Sequence, residues 1–299
     1  MEGIIALLLA NLIGGAVNPI FVRFGTEQIP PITFTAIRFA IATLIFAPIF
    51  LKQKKKIPLS ELKGLIFNSV FFMLNVTLYA VGLQYTTIIT SQILYTLVPL
   101  FVGIFAFFIF KEKITKHKII GSFIALSGAI FILSESLNKS EKLSFGTPLG
   151  NIIVLGAVVS WSFYLSFSKK LTDKHGPITT TFFSFLTTLV VIGVLASFEF
   201  LSHPFAVNHL TSLTLGSIFG VGIISSGLLI FLYQLGINKT SSFIASLFSY
   251  FSPVFASLTA IPLAHEKITF QLIIGGILIT GGVFYATSLD HFRKKAKSD

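Results

Sequence analysis

The sequence predicts an all-α membrane protein, with ten transmembrane helices arranged as a 5+5 inverted-topology repeat and the N- and C-termini cytoplasmic. Three observations carry that prediction. Of the 299 residues, 54% are hydrophobic and 11% charged, with a mean hydropathy of +0.88, too little polar surface to coat a water-soluble globule. Charges gather in short islands separated by apolar runs of about 20 residues, enough to span about 30 Å of hydrocarbon at about 1.5 Å per residue. The stretch from Leu78 to Gly128 is also written again, without a gap, from Leu232 to Gly282, so the chain holds two homologous halves.

The runs expected to be helices cover 3–22, 32–51, 64–83, 88–110, 117–134, 148–168, 178–198, 212–235, 242–263 and 269–288. They are apolar on all sides, whereas barrel strands alternate every second residue. One offset superposes Tyr79 on Tyr233, Gly82 on Gly236, Pro99 on Pro253, and Glu112-Lys113-Ile114-Thr115 on Glu266-Lys267-Ile268-Thr269. Gly121 and Gly128 then fall on Gly275 and Gly282. A weaker alignment places Pro31-Ile32-Thr33 on Pro177-Ile178-Thr179, extending the duplication to the whole chain. The expected units are a first five-helix repeat at 1–137, a linker at 138–146, a second repeat at 147–290 and a basic cytoplasmic tail at 291–299. An odd count reverses the second repeat across the bilayer, which implies two related gates around one central site.

The formal net charge of +11 reads as topology. With the N-terminus cytoplasmic, seventeen Lys and Arg fall on cytoplasmic segments and four on the opposite side, leaving Arg38 within a run; this is the positive-inside pattern. The surplus then attracts anionic lipid, and no aromatic-basic platform suggests nucleic acid. The chain has no Cys, which excludes disulfides, thiolate metal sites and cysteine nucleophiles. The first run lacks a basic leader and continues for a full span, so it is expected to stay in the membrane instead of being cleaved as a signal peptide.

In chain order, the first run carries Asn11, Gly14, Gly15 and Asn18 at helical spacings of three and four. They share one face, which must point away from lipid; either it lines a cavity, or its glycines allow close packing while its amides tie helices together. Arg38 is the one charge inside a span. It either snorkels to the interface or faces the cavity and attracts a carboxylate or phosphate on substrate. The second run ends in the basic stop Lys52-Gln53-Lys54-Lys55-Lys56, and the third carries a stripe of Asn68, Asn75 and Tyr79. In the fourth, Gln92, Tyr95, Thr96, Pro99 and Gly103 share a face, and the copy places Ser246, Ser249, Tyr250, Pro253 and Ser257 on the matching face. These stripes line a pore or bond neighbouring helices. Pro99 and Pro253 permit bends, and hence gating. Tyr233 repeats Tyr79, and the sixth run adds Ser160, Trp161, Tyr164 and Ser168, whose rings suit an amphipathic solute. The fifth and tenth runs carry Gly121, Ala125, Gly128, Gly275 and Gly282 and look like packing or dimerisation helices, in a monomer or weak homodimer.

The ten-helix inverted repeat, Asn18-Pro19, the Ile29-Pro30-Pro31 turn leading to Ala36-Ile37-Arg38-Phe39, and the Pro99…Glu112-Lys113 block with its copy together resemble the drug/metabolite transporter superfamily, EamA-like family. The resemblance covers essentially the whole chain. It implies a secondary-type transporter of the cell inner (plasma) membrane that handles amino acids, related metabolites or drug-like solutes, often outward. Nucleotide-like or lipid solutes and a non-transport structural role are the alternatives.

No motif argues for an enzyme. There is no His-Glu-x-x-His, no phosphate-cradling glycine loop and no pair of acids within a span. All eleven Asp and Glu lie at helix ends or in turns, which argues against a carboxylate proton relay and for facilitated transport or exchange by alternating access. Glu199, His203 and His209 read as solvated turn residues, not metal ligands. The expected partners are a small-molecule substrate and the lipid bilayer, with no cofactor, no metal and no nucleic acid.

Overall fold

The structure is a computed structural model that describes residues 1–54, 57–109, 115–139, 146–202, 210–255 and 270–295, with backbone alone at 89, 133–139 and 288–295. Outside the described residues lie the turn 112–114 and its copy 266–269, most of the expected linker, His203, His209, Ser257 and the last four residues of the tail. Among the described residues every regular element is helical. Eight helices are long and apolar enough to cross a membrane, and Ser242–Phe255 is a shorter apolar helix.

Helix α1 spans Glu2–Gln28, with a π-helical segment at Ile13–Val17. It runs past the expected end, Thr26 Oγ1 bonding back to Val22 O at 2.9 Å, and it stops where Pro30-Pro31 disfavours further helix. Helix α2 covers Pro31–Lys52 and α3 covers Leu59–Gly82. Glu199 caps α2, its carboxylate accepting from Thr33 N at 2.6 Å and Thr33 Oγ1 at 2.7 Å. Helix α4 is broken into Ile88–Tyr95 and Val98–Phe108, just before Pro99. Helices α5 (Lys116–Lys139), α6 (Pro148–His175) and α7 (Pro177–Ser202) follow. Helix α8 covers Ser212–Lys239, with a second π segment at Val221–Leu228. Helix α9 covers Ser242–Phe255 and tightens to 3₁₀ at Phe248–Phe251, and α10 covers Phe270–Lys295.

Hydroxyl caps start several helices by satisfying a free amide of the first turn. Thr87 Oγ1 accepts from Thr90 N at 3.1 Å and Ser241 Oγ from Ile244 N at 3.2 Å; these two caps occupy matching positions in the repeat. Thr147 and Thr211 do the same for α6 and α8. Between α6 and α7, Gly176 adopts φ +87°, a conformation that excludes most side chains.

Contacts define two ends. At the basic end, Gly3 lies against Lys239, Lys174 pairs with Glu61 at 2.7 Å and Thr179 bonds Gln53 at 3.3 Å. At the other end, Thr211 N donates to Gln28 at 3.0 Å, Thr147 N to Tyr85 O at 2.8 Å and Arg23 to Leu83 O at 2.7 Å. Helices α1, α3, α7 and α9 therefore start at the basic end, and α2, α4, α6 and α8 start at the other. The α5–α10 pair is joined by glycines: a Cβ on Gly121 would sit 2.5 Å from Gly282 O, and one on Gly128 would sit 2.6 Å from Gly275 O. The two helices thus cross antiparallel with backbones in contact.

Phe39, Phe72, Phe185 and Tyr164 form the centre of the core, Phe39 meeting Phe72 edge-on at 5.4 Å and Phe72 lying 5.1 Å from Tyr164. The outer surface is apolar too: Leu44 and Phe108 are 73% exposed and Phe284 68%. Apolar surface of this extent is stable against hydrocarbon and not against water.

Candidate functional site

A cavity with about 100 Å³ open to the centres of water molecules lies between the halves of the chain, walled by α1, α2, α3, α4, α6, α8 and α9. It has room for several waters. Of the residues singled out in the sequence, Asn11, Asn18, Arg38, Asn75 and Tyr79 line it, as do Gln92, Tyr95, Trp161, Tyr233 and Ser249.

Two ties brace its walls. Tyr233 Oη donates to Asn11 Oδ1 at 2.6 Å, joining α8 to α1. Asn75 Nδ2 donates to Tyr95 Oη at 2.7 Å and Ala157 O at 2.9 Å, joining α3 to α4 and α6. Tyr95 in turn meets Tyr79 edge-on at 5.5 Å, and Trp161 meets Tyr233 edge-on at 5.2 Å. The result is a wall of flat rings with a few fixed polar atoms, the usual make-up of a small-molecule pocket.

Arg38 is 3% exposed, so it does not snorkel. Its Nε donates to Ser226 Oγ at 2.9 Å in the π segment of α8, and among the described residues no carboxylate pairs with it. Two cavity atoms, Asn18 Oδ1 and Ser225 Oγ, are buried without a hydrogen-bond partner.

The structure places Thr96, Tyr164, Ser246 and Tyr250 outside this cavity's wall, apart from the other residues of the expected stripes. Thr96 falls in the break of α4, where its hydroxyl bonds back to Ile93 O at 2.6 Å. Ser246 does the same to Phe243 O at 2.7 Å, and the 3₁₀ turn after it swings Tyr250 towards α5, where its hydroxyl meets Ser122 at 3.1 Å. A stripe drawn at 3.6 residues per turn fails across a helix break. Pro99 stands at the start of the second piece of α4, and Pro253 stands in α9 two residues after the 3₁₀ turn.

Tyr164 belongs to a separate polar network. Its hydroxyl lies 3.0 Å from Ser184 Oγ and accepts from Gln234 Nε2, which also donates to Ser168 Oγ at 3.1 Å. Asn68 Nδ2 donates to the same Ser168 Oγ at 3.0 Å. Asn68 stands seven residues before Asn75 on α3, about 10 Å closer to the basic end. The network therefore joins four helices between the cavity and that end. At the other end a wider hollow of about 500 Å³ is lined by Gln28, Pro30, Tyr85 and Glu199, among others.

The sequence reading missed Ser225, Ser226, Gln234 and Ser252. Ser225 and Ser226 sit in the π segment, outside any regular stripe. Their signal was the Ser225-Ser226-Gly227 run of small residues, with Gly222 before it. Among the described residues no group of His, Asp and Glu is placed to hold a metal.

Comparison with known proteins agrees with this architecture. The chain is 29% identical over 269 residues to an uncharacterized transporter, YoaV, of Bacillus subtilis, covering 89% of this chain and 90% of that one. It is 26% identical over 293 residues to YetK of the same organism, also an uncharacterized transporter, covering 95% and 86%. An uncharacterized transporter of Archaeoglobus fulgidus is 28% identical, covering 88% and 91%. A solved crystal structure superposes with a TM-score of 0.73 at 20% identity, covering 96% of this chain and 95% of that chain, a likeness of fold. Residues 1–134 and 148–288 each match the EamA-like transporter family, and the chain, a multi-pass membrane protein, belongs to that family.

Proposed function

We propose that the protein is a secondary carrier for small amphipathic metabolites, amino acids or related compounds. It moves them outward across the cell inner (plasma) membrane by alternating access. The two halves act as five-helix repeats inserted in opposite senses, with both termini and the basic end in the cytoplasm. The single observation that carries this reading is the ring-lined cavity between the halves, walled by α1, α3 and α4 together with their counterparts α6, α8 and α9. The opposite directions of α4 and α9, and the reciprocal contacts of Gly121 with Gly282 and Gly128 with Gly275, support a two-fold relation between halves.

The network of Asn68, Tyr164, Ser168, Ser184 and Gln234 acts as the cytoplasmic gate, closed in this state. Pro99 and Pro253 let α4 and α9 bend as the gates exchange. Because the chain has no native cysteine, Ser249→Cys introduces a single thiol into the cavity wall without a background to remove. In vesicles, alternating access predicts reaction with a membrane-impermeant maleimide added from either side, and slower reaction when a transported solute is present. Labelling from one side alone, under every condition, refutes the mechanism.

A further inference from the structure

The cavity holds a cation with no fixed anion among the described residues to balance it. A guanidinium presents five N–H donors, and among the described residues the side chain of Arg38 makes one hydrogen bond, to the neutral Ser226 hydroxyl. It is 3% exposed and lines the cavity. Among the described residues no Asp or Glu lines that wall. A charge buried at this depth is costly unless it is paired. The same cavity offers Asn18 Oδ1 and Ser225 Oγ as buried oxygens without a partner, and Ser225 is the chain neighbour of the serine that holds Arg38. The guanidinium lies over the Phe39 ring at 4.9 Å, a contact that leaves its charge unneutralised, and a cation without a paired anion beside free acceptors is complementary to an oxyanion that carries a donor group.

We propose that the carried solute bears an oxyanion, a carboxylate or a phosphate, that pairs with the Arg38 guanidinium, and a hydroxyl or amino group that donates to Asn18 and Ser225. This rests on the carrier reading above and adds the charge of its cargo. Two parallel N–H bonds from one guanidinium to an oxyanion fix orientation as well as affinity, so Arg38 holds one end of the solute while Trp161 and Tyr233 pack against the rest. Ser226 is a positioning residue: its bond to Nε leaves the Nη groups free for the solute.

The test is a thermal-shift comparison of purified protein at fixed ionic strength, using pairs that differ in charge: lactate with lactamide, phenyllactate with its amide, and glycerol phosphate with glycerol. At least one anion is expected to raise the melting temperature by about 3 °C at saturating concentration, and its neutral partner to leave it unchanged. The pair that responds separates carboxylate from phosphate. Arg38→Gln is expected to abolish the shift without lowering the melting temperature of the ligand-free protein, because it removes an unbalanced charge. Arg38→Lys is expected to keep part of the shift.

Equal stabilisation by anion and neutral partner, or an undiminished shift in Arg38→Gln, overturns the assignment and leaves the carrier reading intact. Stabilisation by no anion, together with a ligand-free Arg38→Gln that melts well below the unsubstituted protein, also overturns it and makes Arg38 a structural tie to α8. Labelling of Ser249→Cys from both sides does not depend on charge, so it separates failure of this inference from failure of the carrier mechanism.

Discussion

Adjacent glycines on α10 respond in different ways to the same substitution. A Cβ added to Gly275 would lie 2.7 Å from Gly128 O and 2.4 Å from Ile132 Cγ1, while one added to Gly276 meets nothing within 4 Å. Ordinary carbon–oxygen contacts are about 3.3–3.6 Å, so Gly275→Ala must part the α5 and α10 backbones by roughly 0.6 Å. Overpacking of that kind costs about 1–3 kcal/mol, which at about 2–4 °C per kcal/mol lowers the melting temperature by roughly 2–12 °C. Gly276→Ala adds a methyl to open space and should stabilise the helix by about 0.5–1 kcal/mol through its lower backbone entropy. The single tryptophan, Trp161, is buried in the cavity wall at 6% exposure, so its fluorescence reports the melt without a label. Gly128→Ala should match Gly275→Ala, and the double variant should cost less than the sum, because both methyls open the same crossing. If Gly275→Ala melts within a degree of Gly276→Ala, the two backbones are not in contact and the α5–α10 crossing is wrong.

Glu199→Ala removes the acceptors of Ile32 N, Thr33 N and Thr33 Oγ1 and should destabilise the start of α2 by about 1–2 kcal/mol, seen as faster hydrogen exchange at Ile32 and Thr33 than in α3. Tyr95→Phe deletes one of the two acceptors of Asn75 Nδ2; it should cost about 1 kcal/mol of stability and weaken solute-induced protection of Ser249→Cys, with an unchanged protection rate arguing against a role for Tyr95 in the site. Gln234→Ala opens the network that joins Tyr164 to Ser168 and should speed labelling of Ser249→Cys from the cytoplasmic side by about 5-fold, the effect of roughly 1 kcal/mol on a two-state gate. No change in that rate would remove the network from the gate.

Much of the cavity was legible because its walls are regular helices. Asn11 and Asn18, or Asn75 and Tyr79, fall at helical spacings on a helix that cannot show bare amides to lipid, so composition and period alone turn them inward. Arg38 was legible as an anomaly, and its depth left two readings that only packing could separate. Thr96 and Tyr250 stand away from the cavity wall for one physical reason, since both lie at or past a departure from regular α-helix. Pro99 and Pro253 sit at or beside departures from regular α-helix, and beyond such a departure the angular position of a side chain no longer follows from residue count. Tyr164 shares its helix with Trp161 yet bonds Ser184 on α7, a partner that no period reveals. The glycines of α5 and α10 were legible as a packing signature; their pairing across the repeat required coordinates.

The π segments at Ile13–Val17 and Val221–Leu228 give α1 and α8 a property that regular helices lack. Each widened turn holds one surplus residue and leaves a carbonyl outside the usual ladder. Moving that surplus one position along re-aims the intervening side chains by about 100°, while the helix stays continuous and its ends stay anchored, Gly3 against Lys239 and Gln28 against Thr211. Gly14 and Ser225 of the cavity wall, and Ser226 that holds Arg38, all lie within these turns, so such a shift would re-aim part of the wall without a helix having to tilt or unwind.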